Sequence, residues 1–296
     1  MNEKFTVKEY AEEVAKLIPY ETKVKEVVKN NGVIRTGIIF TDDAVSPVLY
    51  VDEFYEYGAT VDETAMRLTS QYLKSEGKIR KEMVETILDF EKTKDKIFPK
   101  LINTTYTREY VIDKPYNHWL DLSETYYIPL KGFNKEETVD CSIAVNNHIL
   151  NIWGIDLKEL HKVARENAHP VLESFSEVAP LAESMENIVG MPEMYVLSNP
   201  DRYFGAGVIV SDQAFDLLAK LGSDCILIPS SVHEWIVVPE ENAFKMNPDI
   251  LDGMIREVNE KELEKEDVLS DHAYFYDYQS NGIAVTIRLP HNIQPL

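Results

Sequence analysis

Cysteine is nearly absent: Cys141 and Cys225 are the only two in 296 residues. Two cysteines so far apart do not make a disulfide framework, and neither has the CxxC or CxH spacing of a metal site. Each lies in an apolar, strand-like run, which predicts two buried free thiols. Basic charge is also scarce, since 30 Lys and Arg against 51 Asp and Glu leave a net charge of -21. Such a surface repels phosphate backbones and anionic membranes, so direct binding to duplex DNA is not expected. The same surface suits a basic protein partner, such as a nucleic-acid-handling protein, although its commoner meaning is solubility. No apolar run approaches the length of a membrane span, and Met1 to Lys8 is charged without an apolar signal core, so the cytoplasm is the expected location.

Specific motifs are missing as well. Neither HExxH nor HxH occurs. Gly205-Ala206-Gly207 lacks the third glycine of a dinucleotide loop and leads into a strand-like run, so it reads as a tight turn or bulge. Arg202 just before it reads as a salt-bridge partner or an anion ligand. No cofactor is expected.

A hydrophobic share of 44% with 10% aromatics can bury a sizeable core. Thr6 to Ile18 carries a helical stripe at Tyr10, Val14, Leu17 and Ile18, stopped by Pro19. Lys23–Lys29 and Val33–Phe40 read as strands joined by a tight turn at Asn30-Asn31-Gly32. Two helices follow, one with the stripe Val61, Ala65, Leu68 and Tyr72 and Asp62 as N-cap, the other with Ile79, Met83, Ile87 and Phe90. Glu91 to Pro115 reads as irregular. It sets the expected division into an N-terminal α+β region, 1–110, and a C-terminal one, 111–296, unless the two form one continuous domain.

Beyond it, Leu120–Leu130 and Val139–Ile152 read as strands, the second turning at Asn146-Asn147. Asp156 with Glu159 starts a helix. Met194–Ser198 and Ala206–Val210 read as strands, Ser211 or Asp212 caps a helix, and Cys225–Ile228 and Trp235–Val238 flank the turn Pro229 to Glu234. Pro248 opens a helix expected to bury Leu251, Met254, Ile255 and Val258. Ala273–Tyr278 and Ile283–Arg288 form a last hairpin. Strict βαβ alternation is absent, which predicts an α+β fold of mainly antiparallel sheets with helices inserted between hairpins.

Two turns could carry chemistry. Ser230-Ser231-Val232-His233-Glu234 holds two hydroxyls, a histidine and a carboxylate, the parts of a hydrolase. Adjacent strand residues point to opposite faces, however, and Ser-Ser equally suits a turn that bonds its own amides. Asp271-His272 is the second. If the final hairpin lay beside the first turn, His233 and His272 would be enough, with one carboxylate, to begin a metal site; the simpler reading is that both cap strand ends. Tyr126-Tyr127 and the Phe54, Tyr55 and Tyr57 run read as core, and the acidic run Glu257–Asp267 as a solvated helix end.

Four segments carry a family resemblance: Asn31-Gly-Val-Ile-Arg-Thr-Gly37, Pro47-Val-Leu-Tyr-Val-Asp-Glu-Phe-Tyr55, Leu227-Ile-Pro-Ser-Ser-Val-His-Glu234 and Val268-Leu-Ser-Asp-His-Ala-Tyr274. On these the chain resembles an uncharacterised bacterial family, domain of unknown function 5688. The resemblance implies a bacterial cytoplasmic protein, cargo of mobile elements in many cases, and transfers no catalytic residue. Two classes of function are therefore carried forward. One is a non-enzymatic binding or regulatory protein acting on a protein partner; the other is a hydrolase or metal-dependent enzyme built on Ser230, Ser231, His233, Glu234, Asp271 and His272.

Overall fold

The N-terminal helix α1 (Val7–Leu17) starts at a capping box: the Thr6 hydroxyl accepts from the Glu9 amide at 3.2 Å and the Glu9 carboxylate accepts from the Thr6 amide at 2.8 Å. It buries Tyr10, Ala11 and Val14, while Leu17 stays half exposed. The computed structural model describes residues 5–41, 48–75, 81–105, 108–130, 142–175, 193–239 and 248–285. Cys141, Ile79 and the end of the last expected strand, 286–288, lie outside them.

Three antiparallel sheets give an α+β fold. The first joins β1 (Thr22–Val28), β2 (Ile34–Phe40) and β3 (Val48–Tyr50). Helix α1, the short α2 (Asp52–Glu56) and α3 (Val61–Ser75) accompany it, and Tyr10, Val14, Ile38, Phe40, Leu68 and Tyr72 share its core. The N-cap of α3 is Thr60, in a second capping box with Glu63; Asp62, the expected cap, falls inside the helix because Thr60 supplies the better reciprocal pair.

Helices α4 (Lys81–Ile87) and α5 (Phe90–Thr93) lead to the second sheet. The stretch 91–115 is not irregular. It contains β4 (Phe98–Asn103) and α6 (Arg108–Val111), and β4 pairs in full register with β6 (Leu122–Pro129), across position 110. The other edge of β6 takes β5 (Asn117–Trp119) and β7 (Ser142–Ala144). Asn146-Asn147 does not make a hairpin. Asn146 caps α7 (Asn147–Trp153), its side-chain oxygen accepting from the Ile149 amide at 2.9 Å; the amide that suits a turn suits an N-cap equally. Asp156 caps α8 (Leu157–Glu166) in the same way.

The third sheet runs β13-β12-β10-β11-β9-β8, from β8 (Val171–Ser174), β9 (Tyr195–Ser198), β10 (Cys225–Ser231), β11 (Glu234–Pro239), β12 (Tyr274–Asp277) and β13 (Gly282–Val285). Cys225 is buried within β10, its thiol donating to the Ser223 carbonyl at 3.5 Å. Helix α9 (Asp212–Ala219) and helix α10 (Pro248–Lys261) flank this sheet's strands in sequence. On α10, Leu251 and Ile255 are buried, but Met254 and Val258 face outward at 52% and 50% exposure, so the buried stripe is narrower than expected.

Gly205–Val210 is a fully buried 3-10 helix rather than a strand. An unbroken apolar run has no period that separates the two. Its glycines are steric necessities: a Cβ on Gly207 would lie 2.2 Å from the Pro99 carbonyl oxygen, and one on Gly205 would lie 2.6 Å from that of His233. The helix thus rests directly on β4, and one core joins Leu101 and Leu122 of the second sheet to Leu197, Trp235 and Tyr274 of the third.

The first sheet is tied to the rest at its hairpin tip. Asn30-Asn31-Gly32 forms a 3-10 turn with Asn31 at φ 56, and both asparagines are buried. The Asn30 amide donates to the Glu266 and Val268 carbonyls at 2.9 and 3.0 Å; the Asn31 amide donates to Lys265 and Val268 at 2.7 Å each. Asn30 Oδ1 also accepts from the Asn103 amide of β4 at 3.2 Å. Removing a partner from buried hydrogen bonds costs about 1–3 kcal/mol. Asn30→Ala is therefore expected to lower the unfolding free energy by that order, seen as a lower urea midpoint at unchanged slope; a loss under about 0.5 kcal/mol, the size of an ordinary surface change, would show that the tip is not held this way.

Candidate binding site

The docked hairpin tip brings Lys29 toward two other lysines. Lys100 sits mid-strand in β4, on the face opposite Leu101, and is only partly exposed. Its ammonium lies 3.5 Å over the Phe204 ring and 5.9 Å from the Tyr110 ring. Lys114 lies 4.3 Å over the same Tyr110 ring, and Lys29 lies 4.5 Å over Tyr50. Lys114 also donates to the Tyr110 carbonyl and to Asp113. Among the described residues Lys100 has neither a carboxylate within ion-pair distance nor a side-chain hydrogen bond. Burial first, and then the charge of Lys29, push its pKa down to about 7, against the weaker pull of Glu266 and Asp267.

The Phe204 floor is held under strain. Arg202 and Phe204 both adopt φ 51, a left-handed conformation that costs a side-chain-bearing residue roughly 1–2 kcal/mol. Asn199 offsets part of this by clamping both backbone groups of Tyr203, at 3.2 and 2.9 Å. Arg202 bonds Glu173 at 2.7 Å and Glu234 at 3.2 Å. The Phe204 amide donates to His233 Nδ1 at 3.1 Å, and the two rings stack at 9°. In the neutral ring the proton therefore sits on Nε2, which faces Asp267 at 3.5 Å.

The first turn is thus committed to positioning. The Ser231 hydroxyl accepts from the His233 amide at 3.0 Å, and Ser230 bonds Glu234 at 3.4 Å. Neither hydroxyl reaches the imidazole, and Glu234 serves Arg202, so the structure does not bring a serine–histidine pair together. Asp267 holds the turn from outside, its carbonyl accepting from the Val232 amide at 2.8 Å.

The second turn lies at the same end of the sheet, because Leu227 pairs with Tyr274 in antiparallel register. No hydrogen bond or ion pair joins His233 to His272 among the described residues. His272 stands instead between Asp121 Oδ2 at 3.2 Å and Asp271 Oδ1 at 3.0 Å. Its Nε2 is buried without a well-aligned hydrogen bond, so the contact to Asp121 is best described as ionic. Among the described residues no group of three or more His, Cys, Asp or Glu has the arrangement of a metal site.

The Asp121 carboxylate first, and then Asp271, raise the pKa of His272 to about 9. Burial opposes ionisation of Asp121, yet its bonds to His272 and Tyr274 hold it below its usual value. The histidine's contribution to stability is complete below its unfolded pKa, about 6.5, and is lost as pH rises through about 9. Imidazole NMR is expected to show a midpoint near 9, and the stability gap between the parent and His272→Gln should shrink over the same window. A midpoint near 6.5, the ordinary histidine value, would contradict the ion pair.

Sequence reasoning missed Lys100, Phe204, Asn30 and Asn31 as site residues. One signal was legible: a lysine inside an otherwise apolar run, Ile97 to Ile102. The buried Glu124 carboxylate is satisfied internally, by an ion pair with Arg165 at 2.9 Å and by the His161 ring nitrogen at 3.3 Å.

No curated protein and no solved structure matches the chain. The model of a family of unknown function, DUF5688, matches residues 3–278, and the chain belongs to that family.

Proposed function

We propose that this is a binding protein whose junction takes an anionic group, a phosphate, sulfate or carboxylate, on Lys29, Lys100 and Lys114 against the rings of Tyr50, Tyr110 and Phe204. One observation carries the reading: Lys100 lies 3.5 Å over the Phe204 ring, and among the described residues no carboxylate is within ion-pair distance of it. A charged group is expensive to bury unpaired, and a bound anion would supply the missing partner. The net charge of -21 does not oppose this at contact distance. Screening confines surface charge to about 8–10 Å at ordinary salt, so the adjoining lysines decide the local potential while long polyanions are still repelled. The acidic exterior leaves room for a basic protein partner elsewhere on the surface. The enzyme reading is weaker, since each of its candidate side chains already has a structural partner.

The sign of the pH dependence follows from Lys100. Its pKa of about 7 must rise when an anion arrives, so binding takes up a proton above neutral pH and weakens as pH increases from 7. Calorimetric titration with inorganic sulfate, which does not itself titrate in this range, is expected to show proton uptake at pH 8 in buffers of different ionisation enthalpy. Lys100→Arg should bind sulfate without uptake, and Lys100→Ala should bind several-fold more weakly. Equal affinity in all three proteins would overturn the reading.

A further inference from the structure

We infer that the ligand of this junction carries a carbonyl group beside its anionic group, and that the Lys100 amine adds to that carbonyl to form an imine. The inference rests on the anion-binding reading and concerns which of the three amines does what. Lys114 is engaged with the Tyr110 carbonyl and Asp113, each at 2.7 Å. Lys29 sits over Tyr50 at the docked hairpin tip. Among the described residues neither Lys29 nor Lys100 donates its ammonium to an acceptor, but Lys100 alone of the three has ring faces on two sides, Phe204 and Tyr110, whereas Lys29 has one.

Such an amine is both immobilised and uncommitted. Immobilisation comes from β4, paired along its length with β6, and from Phe204, which His233 fixes by its stack and by the bond from the Phe204 amide. Lack of commitment leaves the lone pair available, because a desolvated lysine beside another cation is the form of the side chain that attacks carbonyl carbon. The depressed pKa of Lys100 agrees with this geometry.

The step balances without a further reactant. The Nζ lone pair forms a bond to the carbonyl carbon as the C=O π bond breaks. The oxygen takes a proton from water and the nitrogen loses one to water. The carbinolamine then expels its oxygen as water, leaving C=N. Nothing is oxidised or reduced. The ligand class is an oxo-acid or a phosphorylated aldehyde, its anionic end against Lys29 and Lys114 and its carbonyl at Lys100.

Pyridoxal 5′-phosphate, an aldehyde with a phosphate, is a suitable probe. Substoichiometric probe at pH 7.5, borohydride reduction and peptide mass spectrometry are expected to place the adduct on Lys100. Its formation there should be on the order of a hundredfold faster than at a solvated lysine, and excess inorganic sulfate should slow it. Lys100→Arg should lose the adduct. Label spread over many lysines, or unchanged in Lys100→Arg, would overturn the inference while sulfate binding persists. Failure of sulfate to bind the parent protein would instead remove the anion-binding reading beneath it.

Discussion

The side-chain amides of Asn30 and Asn31 are the contact on which the arrangement depends. Four N–H to carbonyl bonds, of 2.7 to 3.0 Å, reach residues 265, 266 and 268 from a turn more than two hundred residues away in sequence. They do three things at once. They satisfy the carbonyls of residues 265, 266 and 268, hold the segment that presents Asp267 to His233, and, with the Asn103 amide on Asn30 Oδ1, dock the turn that follows Lys29 against β4. Arg35 reinforces the seam through Glu266 at 2.9 Å. Asparagine suits this position because it tolerates the left-handed backbone of Asn31 while its amide reaches outward.

What the seam creates is unfavourable for folding. Three lysines gather on aromatic rings, and among the described residues only Lys114 has a carboxylate within ion-pair distance; Phe204 beneath Lys100, and Arg202 beside it in sequence, are held at positive φ. A chain selected for stability alone would place methionine at position 100 and glycine at 204. Strain and unpaired charge in one place, over-determined by Asn199, His233 and the Gly205–Val210 helix, are the physical marks of a site. The His272 cluster is different in kind. There the histidine stands between two carboxylates, Asp121 and Asp271, and closes the neighbouring strand end.

Local chemistry was legible in the sequence wherever a feature depends on neighbours along the chain. The Asp156 cap with Glu159 three residues on, the Asn30–Gly32 turn, the Ser211 cap and the Pro229–Glu234 turn between two strands all follow from spacing. Features with two equal local solutions were not. Asn146 suits a turn or a cap, and Ala206–Val210, apolar throughout, suits a buried strand or a buried 3-10 helix. The lysine cluster was beyond local reading because Lys29, Lys100, Lys114 and Phe204 meet only through sheet pairing and the docked hairpin. The histidines drew attention by residue type, yet His233 supports the floor of the site and His272 completes an ion pair.

The central claim is that Lys100 is held on Phe204 with no carboxylate at ion-pair distance among the described residues. Its most direct test is the titration of the Lys100 side chain itself, followed through the carbon-13 signal of its ε-methylene and assigned with Lys100→Arg. The structure predicts a midpoint of about 7, moving upward when sulfate is added. A midpoint at the ordinary lysine value, about 10.4, and insensitive to sulfate, would contradict the account.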